Sequence, residues 1–135
     1  MTNPVGAPNS IMRKFHDLPE PSAMQREYSP CKITPWGTAQ SARRYGNGVI
    51  FYSTASHGGF HLSASALRRV PAYLQQADLY ADGTLGWYEE DCASAIVIVC
   101  LPELFPLEHR LNAAATMQRT YPGPWEQFCI EFASY

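Results

Sequence analysis

At 135 residues, with 46% hydrophobic and 16% charged side chains, the chain is long enough for one domain with its own core and too short for two. The formal net charge of −2 hides a split, with eight basic against three acidic side chains up to Arg69 and two against nine from Val70 onward. No run of about 18 apolar residues could span a bilayer, no apolar leader occupies Met1 to Glu20, and Cys31, Cys92, Cys100 and Cys129 lack a CxxC spacing, which excludes a membrane span and a cysteine-built metal centre and leads us to expect a reducing, cytoplasmic setting.

Met1 to Pro35 holds six of the eleven prolines and no sustained periodicity. Residues 1–32 therefore read as an extended or flexible proline-rich arm, and 33–135 as a single domain with Trp36 as its first large anchor. Gly37 to Arg44 reads as a short helix or turn, and Gly46 to Gly48 as punctuation before a strand over Val49 to Ala55, where β-branched and aromatic residues concentrate.

The pair Gly58-Gly59 predicts a tight hairpin. With both glycines at its central positions, His57 faces Phe60 and Ser56 faces His61. Alternation then puts Val49, Phe51, Phe60 and Leu62 on the core face with His57, and Ile50, Tyr52 and His61 on the other. On that register His57 and His61 point to opposite sides and cannot share a metal; only a longer loop would bring them together.

Ser63 or Ser65 can cap a short helix through Ala66 to Arg69, which Pro71 interrupts or restarts over Val70 to Gln76, and Asp82-Gly83 marks a turn. From about Trp87 a helix is expected with Cys92, Ala95, Ile96, Val99 and Cys100 on one stripe. Glu89, Glu90 and Asp91 complement the dipole at its start and Pro102 ends it, although Ile96 to Val99 could also form a strand. Pro106 opens another helix with Leu107, Leu111, Ala114 and Ala115 inward, stopping before Pro122. Trp125 to Phe132 reads as a last short helix or an edge strand. The pattern is α+β: a small antiparallel sheet built on a β-hairpin, packed against three to four helices.

Candidate chemistry collects in STASHGGFHLS (53–63) and GWYEEDC (86–92). Read as an enzyme, a small transferase or hydrolase would use His61 with Glu89 or Glu90 as general base and Arg44 to orient an anionic substrate. No GxSxG elbow surrounds the hydroxyls and no EF-hand loop accompanies the acids, so no catalytic set is complete and no metal or cofactor is expected. Read as a binding surface, Glu89, Glu90 and Asp91 with His57, His61, Tyr88 and Arg44 would meet a partner. The charge split fits either attraction between the halves, within one domain or a homodimer, or an acidic face for a basic partner. The few basic residues, singly or in pairs, argue against direct nucleic-acid binding.

Taken together, Trp36-Gly37, YSTASHGGFHLS, Val70-Pro71, GWYEEDC, the Pro102 to Phe105 turn and Tyr121-Pro122 resemble an uncharacterised domain-of-unknown-function family found in bacteria, plasmids and phages. The resemblance covers roughly Ile33 to Phe128. It implies an α+β domain carried by mobile genetic elements and implies no reaction. The function expected is therefore a non-enzymatic binding protein that inhibits a host defence complex, of anti-CRISPR or anti-restriction type, by protein–protein contact in the host cytoplasm.

Overall fold

The computed structural model describes residues 6–22, 26–75 and 86–132. In chain order these form α1 (Gly6–Asp17), β1 (Ile33–Thr34), β2 (Gly37–Thr38), β3 (Ser41–Gly46), β4 (Val49–Ser53), β5 (Gly58–Leu62), α2 (Ala64–Leu67) and α3 (Ala72–Gln75). After them come β6 (Trp87–Glu89), α4 (Ser94–Cys100), a 3-10 turn (Pro102–Leu104), α5 (Leu107–Thr120) and α6 (Pro122–Phe132). The expected α+β architecture is what is observed: β3-β4-β5-β6 is an antiparallel meander, and β1-β2 a separate hairpin.

The two faces of the meander differ. Val49, Phe60, Leu62 and Tyr88 point toward the helices and join Ile96, Val97, Val99, Phe105, Met117 and Trp125 in the main core. Fully burying an apolar side chain of this size contributes about 1.5–3 kcal/mol. On the opposite face Tyr52, Ala42 and Trp87 form a smaller core with Ala39 and Trp36, brought over by the β1-β2 hairpin. That hairpin is held by Thr34, whose hydroxyl donates to the Gly37 carbonyl (2.8 Å) and accepts from the Trp36 N–H (3.1 Å).

The two glycines are strand residues, not the turn. The register pairs Val49 with Leu62, Phe51 with Phe60 and Ser53 with Gly58, leaving Thr54 to His57 as the loop. The reason is steric: a Cβ on Gly59 would lie 2.2 Å from the Trp36 indole and 2.4 Å from the Tyr88 carbonyl oxygen. Glycine is needed there for close approach of another segment, which is a second standard use of the residue. The expected pairing is displaced by an even number of residues, so the predicted faces for Val49, Phe51, Phe60 and Leu62 survive.

Further expectations are corrected. Gly37 to Arg44 is not the expected short helix or turn; Gly37 and Thr38 form β2, paired with β1, and Ser41 to Arg44 lie in β3, paired with β4. Trp87 to Glu89 is a strand rather than a first helical turn, paired with His61, Phe60 and Gly59, and the helix begins only at Ser94. Gly86, at φ 94°, supplies the left-handed residue that turns the chain into that strand.

Gly6 to Asp17, expected as extended arm, is a helix whose Ile11 and Phe15 are buried. Four residues apart, they lie on one face, and Pro8 sits in the first turn, where a missing N–H costs nothing. Ser63 does cap α2, its hydroxyl accepting from the Ala66 N–H at 3.2 Å. α5 runs as expected from Pro106, but Ala115 is exposed, and the residues it buries are Arg110, Ala113, Ala114 and Met117. Trp125 to Phe132 lies within α6, which removes the strand alternative. The Asp82-Gly83 turn lies outside the described residues.

Candidate functional site

The longer loop determines where His57 goes. Thr54 locks it twice: its N–H donates to the His57 carbonyl at 2.8 Å, and its hydroxyl donates to the same oxygen while accepting from the His57 N–H. Such a hydroxyl-clamped turn gives the loop one backbone path. The His57 ring then stands at the end of β5-β6, with Nε2 3.5 Å from Glu89 Oε2 and Nδ1 3.5 Å from Glu90 Oε1. Trp36 closes the third side, its ring edge-on at a centroid distance of 5.9 Å.

Glu89 and its two neighbours do different jobs. Its carboxylate accepts from the N–H groups of Asp91 (2.9 Å), Cys92 (2.8 Å) and Ala93 (3.1 Å), the donors that lead into α4. These N–H groups belong to the turn that precedes α4, which Glu89 thereby fixes; the helix's own first donors, the Ala95 and Ile96 N–H groups, go to the Cys92 and Ala93 carbonyls, since the N-cap residue, Ala93, has no side-chain oxygen. Burial pushes the Glu89 carboxyl up, but the three N–H groups and then His57 outweigh it and hold the group below the usual carboxylate range. The expectation that the acids serve the start of this helix thus applies to Glu89, which acts from the end of a strand. Glu90 and Asp91 remain exposed, their backbone pinned by Glu90 N–H to the Gly58 carbonyl and by the Ser94 hydroxyl to the Glu90 carbonyl.

One ligand-type atom from each of His57, Glu89 and Asp91 falls within a span of 4.8 Å, the spacing a divalent cation needs. Glu89 has already committed both of its oxygens to backbone donors.

With this geometry in view, residues 29–134 match a family model described as a domain of unknown function, DUF7007. The chain belongs to this family. No curated protein and no solved structure matches it. α1 lies before the matched residues of the DUF7007 domain and still contributes Ile11 and Phe15 to its core.

The other predicted site residues of the DUF7007 domain lie apart from His57. His61 stacks on Trp87, ring centroids 4.5 Å apart, and Lys32 lies 6.0 Å over the same indole. Burial, then the nearby Lys32 charge, lower the His61 pKa. Both carboxylates expected beside His61 lie against His57 instead. Arg44 is exposed on β3, its guanidinium turned to Asn47 and to the Gly46 carbonyl. Tyr88 is 2% exposed, in the main core, so its side chain offers no surface to a partner.

Sequence reasoning missed Trp36 and Thr54 as parts of the site. The Thr-x-x-His spacing at 54–57 carried a signal, since a hydroxyl three residues before a turn's end commonly clamps it. Trp36 carried none, because its place beside His57 is set by β1-β2 packing across the sheet. Of the cysteines, Cys100 and Cys129 are buried, and burial raises the Cys129 thiol to about 11, consistent with inert core thiols.

Proposed function

We propose that this DUF7007 domain is a non-enzymatic binding protein that presents Glu90 and Asp91, braced by His57 and Glu89, to a basic surface of a protein partner. The observation that carries the reading is the division of labour in the acidic trio. One carboxylate is spent on the backbone, which fixes the turn, and two are left projecting into solvent on a fixed backbone. A fixed pair of like charges is suited to steering and register more than to proton transfer.

The partner class that fits is a host defence complex that handles nucleic acid, inhibited in the anti-CRISPR or anti-restriction manner. Such a complex has a basic channel because its substrate is a phosphate chain, and an acidic corner on a small domain would compete for it. Carriage by a phage or plasmid is part of this proposal.

The test is affinity capture from a bacterial lysate with the wild-type domain and with Glu90→Lys/Asp91→Lys, each partner identified by mass spectrometry. Capture should be lost in the variant and should weaken steeply with salt in the wild type. A partner retained undiminished by the folded variant would overturn the acidic-face reading, and a mass change on a captured protein would point to an enzyme.

A further inference from the structure

Next to the acidic corner, and sharing Glu90 and Asp91 with it, the sheet and helices α4 and α5 part to leave an open cleft of about 400 Å³. That is within the range of about 300–1,000 Å³ over which pockets seat small groups. Its floor is a continuous aromatic set. Ring centroids lie 4.9 Å apart for Tyr45 and Phe105, 5.6 Å for Tyr45 and Phe60, and 5.0 Å for Phe51 and Phe60. Phe60 and Phe105 are buried, whereas Tyr45 and Phe51 are only half-buried where they line the opening.

The chemistry of this lining is one-sided. Aromatic faces carry negative potential and attract cations, most strongly when the cation is partly desolvated. Glu90 and Asp91 add two carboxylates to the lining, and among the described residues no lysine or arginine lines the cleft. Among the described residues the one lining group able to carry positive charge is His109, from α5. An anion would meet repulsion here, and a neutral apolar group would leave the carboxylates unused. A cation on an apolar stem uses both features. Among protein side chains arginine fits best, because its planar guanidinium stacks on rings and pairs with carboxylates through a fork of N–H donors.

We propose that the cleft seats an arginine side chain of the protein partner, its guanidinium against Tyr45 and Phe51 and paired with Glu90 and Asp91. This rests on the binding reading above and gives that surface its anchor residue, since buried arginines and aromatics commonly dominate interface energetics.

The test is a nuclear magnetic resonance titration of the isotope-labelled full chain with the capped tripeptide acetyl-Gly-Arg-Gly-amide, and with its citrulline and lysine counterparts. The arginine peptide should shift Tyr45, Phe51 and Asp91 saturably, and the neutral citrulline peptide should bind at least tenfold more weakly. Glu90→Gln/Asp91→Asn should weaken the arginine peptide by a similar factor. Ile98→Trp, or Thr116→Phe if the first does not fold, fills the cleft with the acids intact and should abolish binding. Equal affinity for arginine and citrulline, tighter binding of lysine, or arginine binding that survives the filled cleft would overturn the proposal. If the filled variant captures the partner as well as wild type while Glu90→Lys/Asp91→Lys does not, the anchor fails and the acidic-face reading stands.

Discussion

Arg110 Nη1 donates to the carbonyl oxygen of Phe15 at 2.7 Å, joining the first turn of α5 to the C-terminal turn of α1 across 95 positions of chain. The rest of the guanidinium is used in the same way. Nη1 also donates to Leu18 (3.2 Å), Nη2 to Pro19 (2.8 Å) and Nε to Pro102 (2.8 Å), so one side chain collects carbonyl oxygens from the end of α1 and from the 3-10 turn. Arg110 is 1% exposed. A buried cation is tolerated only when its donors are satisfied, and the last carbonyls of a helix are a negative pole that favours it. The same segment is tied a second time by Glu20, which accepts from the Leu107 N–H at the start of α5.

Arg110→Met should therefore destabilise the domain by about 3 kcal/mol, because it strands several buried carbonyl acceptors. Arg110→Lys keeps the charge but not the fork and should recover part of that loss. Urea denaturation measures the difference. Hydrogen exchange in α1, accelerating more than in α4, would show that the arginine secures the N-terminal helix; equal acceleration everywhere would argue against that role.

Glu89 and Glu90 should separate cleanly on mutation. Glu89→Ala removes the acceptor for three N–H groups and should cost about 2 kcal/mol, while Glu90→Ala, on the exposed turn, should stay within about 0.5 kcal/mol. The carboxyl of Glu89 titrates lower in the folded chain than in the unfolded one. Its contribution is then fully present above the ordinary carboxylate pKa and is lost as pH falls through the lower folded value. Thermal melts between pH 6 and 3 should show a shallower acid limb for Glu89→Gln than for wild type.

His61 works in the opposite chemical sense with the same pH direction. Its folded pKa is lowered from the ordinary 6.5 by burial and Lys32. Below 6.5 the unfolded chain binds a proton that the folded chain resists, so stability falls as pH drops until the folded value is reached. His61→Gln should flatten the melting temperature over that window. A profile unchanged from wild type would show that His61 does not titrate differently on folding.

Gly59→Ala should destabilise by about 2–3 kcal/mol, since the added methyl meets the Trp36 ring and the Tyr88 carbonyl and neither can retreat freely. Gly123→Ala, in α6 with nothing among the described residues within 4 Å of the new carbon, should instead stabilise by about 0.4–1 kcal/mol. Paired denaturation curves test both. The first variant should also broaden the resonances of Trp36, which a simple loss of strand propensity would leave alone.

Much of the fold was readable from residue order, and the failures share a cause. Alternation in Val49 to Phe51 and Phe60 to Leu62 reports which face is buried, and that information is local. Gly58-Gly59 looked like a turn because a double glycine usually satisfies a backbone demand nearby, whereas Gly59 answers an indole arriving from β1-β2. Glu89, Glu90 and Asp91 marked a helix entrance correctly. Pairing with β5 then claimed Trp87 to Glu89 for the sheet, a long-range effect that outweighs local propensity. Prolines around α1 hid the spacing of Ile11 and Phe15. Arg110 sits on a helical face that sequence reasoning assigns to apolar residues, and only the arrival of four carbonyls explains it. At the candidate site the residue types were legible and the partnerships were not, because His57 takes the carboxylates expected beside His61 once the loop lengthens from two residues to four.

The carboxylate of Glu89, facing inward to the peptide N–H groups of the turn, makes the adjoining pair replaceable. The turn's N–H groups are held from position 89, so other residues could stand at 90 and 91 without refolding the corner, at the loss of the His57–Glu90 pair. On the binding reading proposed above, related chains could diversify their targets at these two positions alone, and a designer could graft a new specificity onto the same turn while leaving Glu89 untouched.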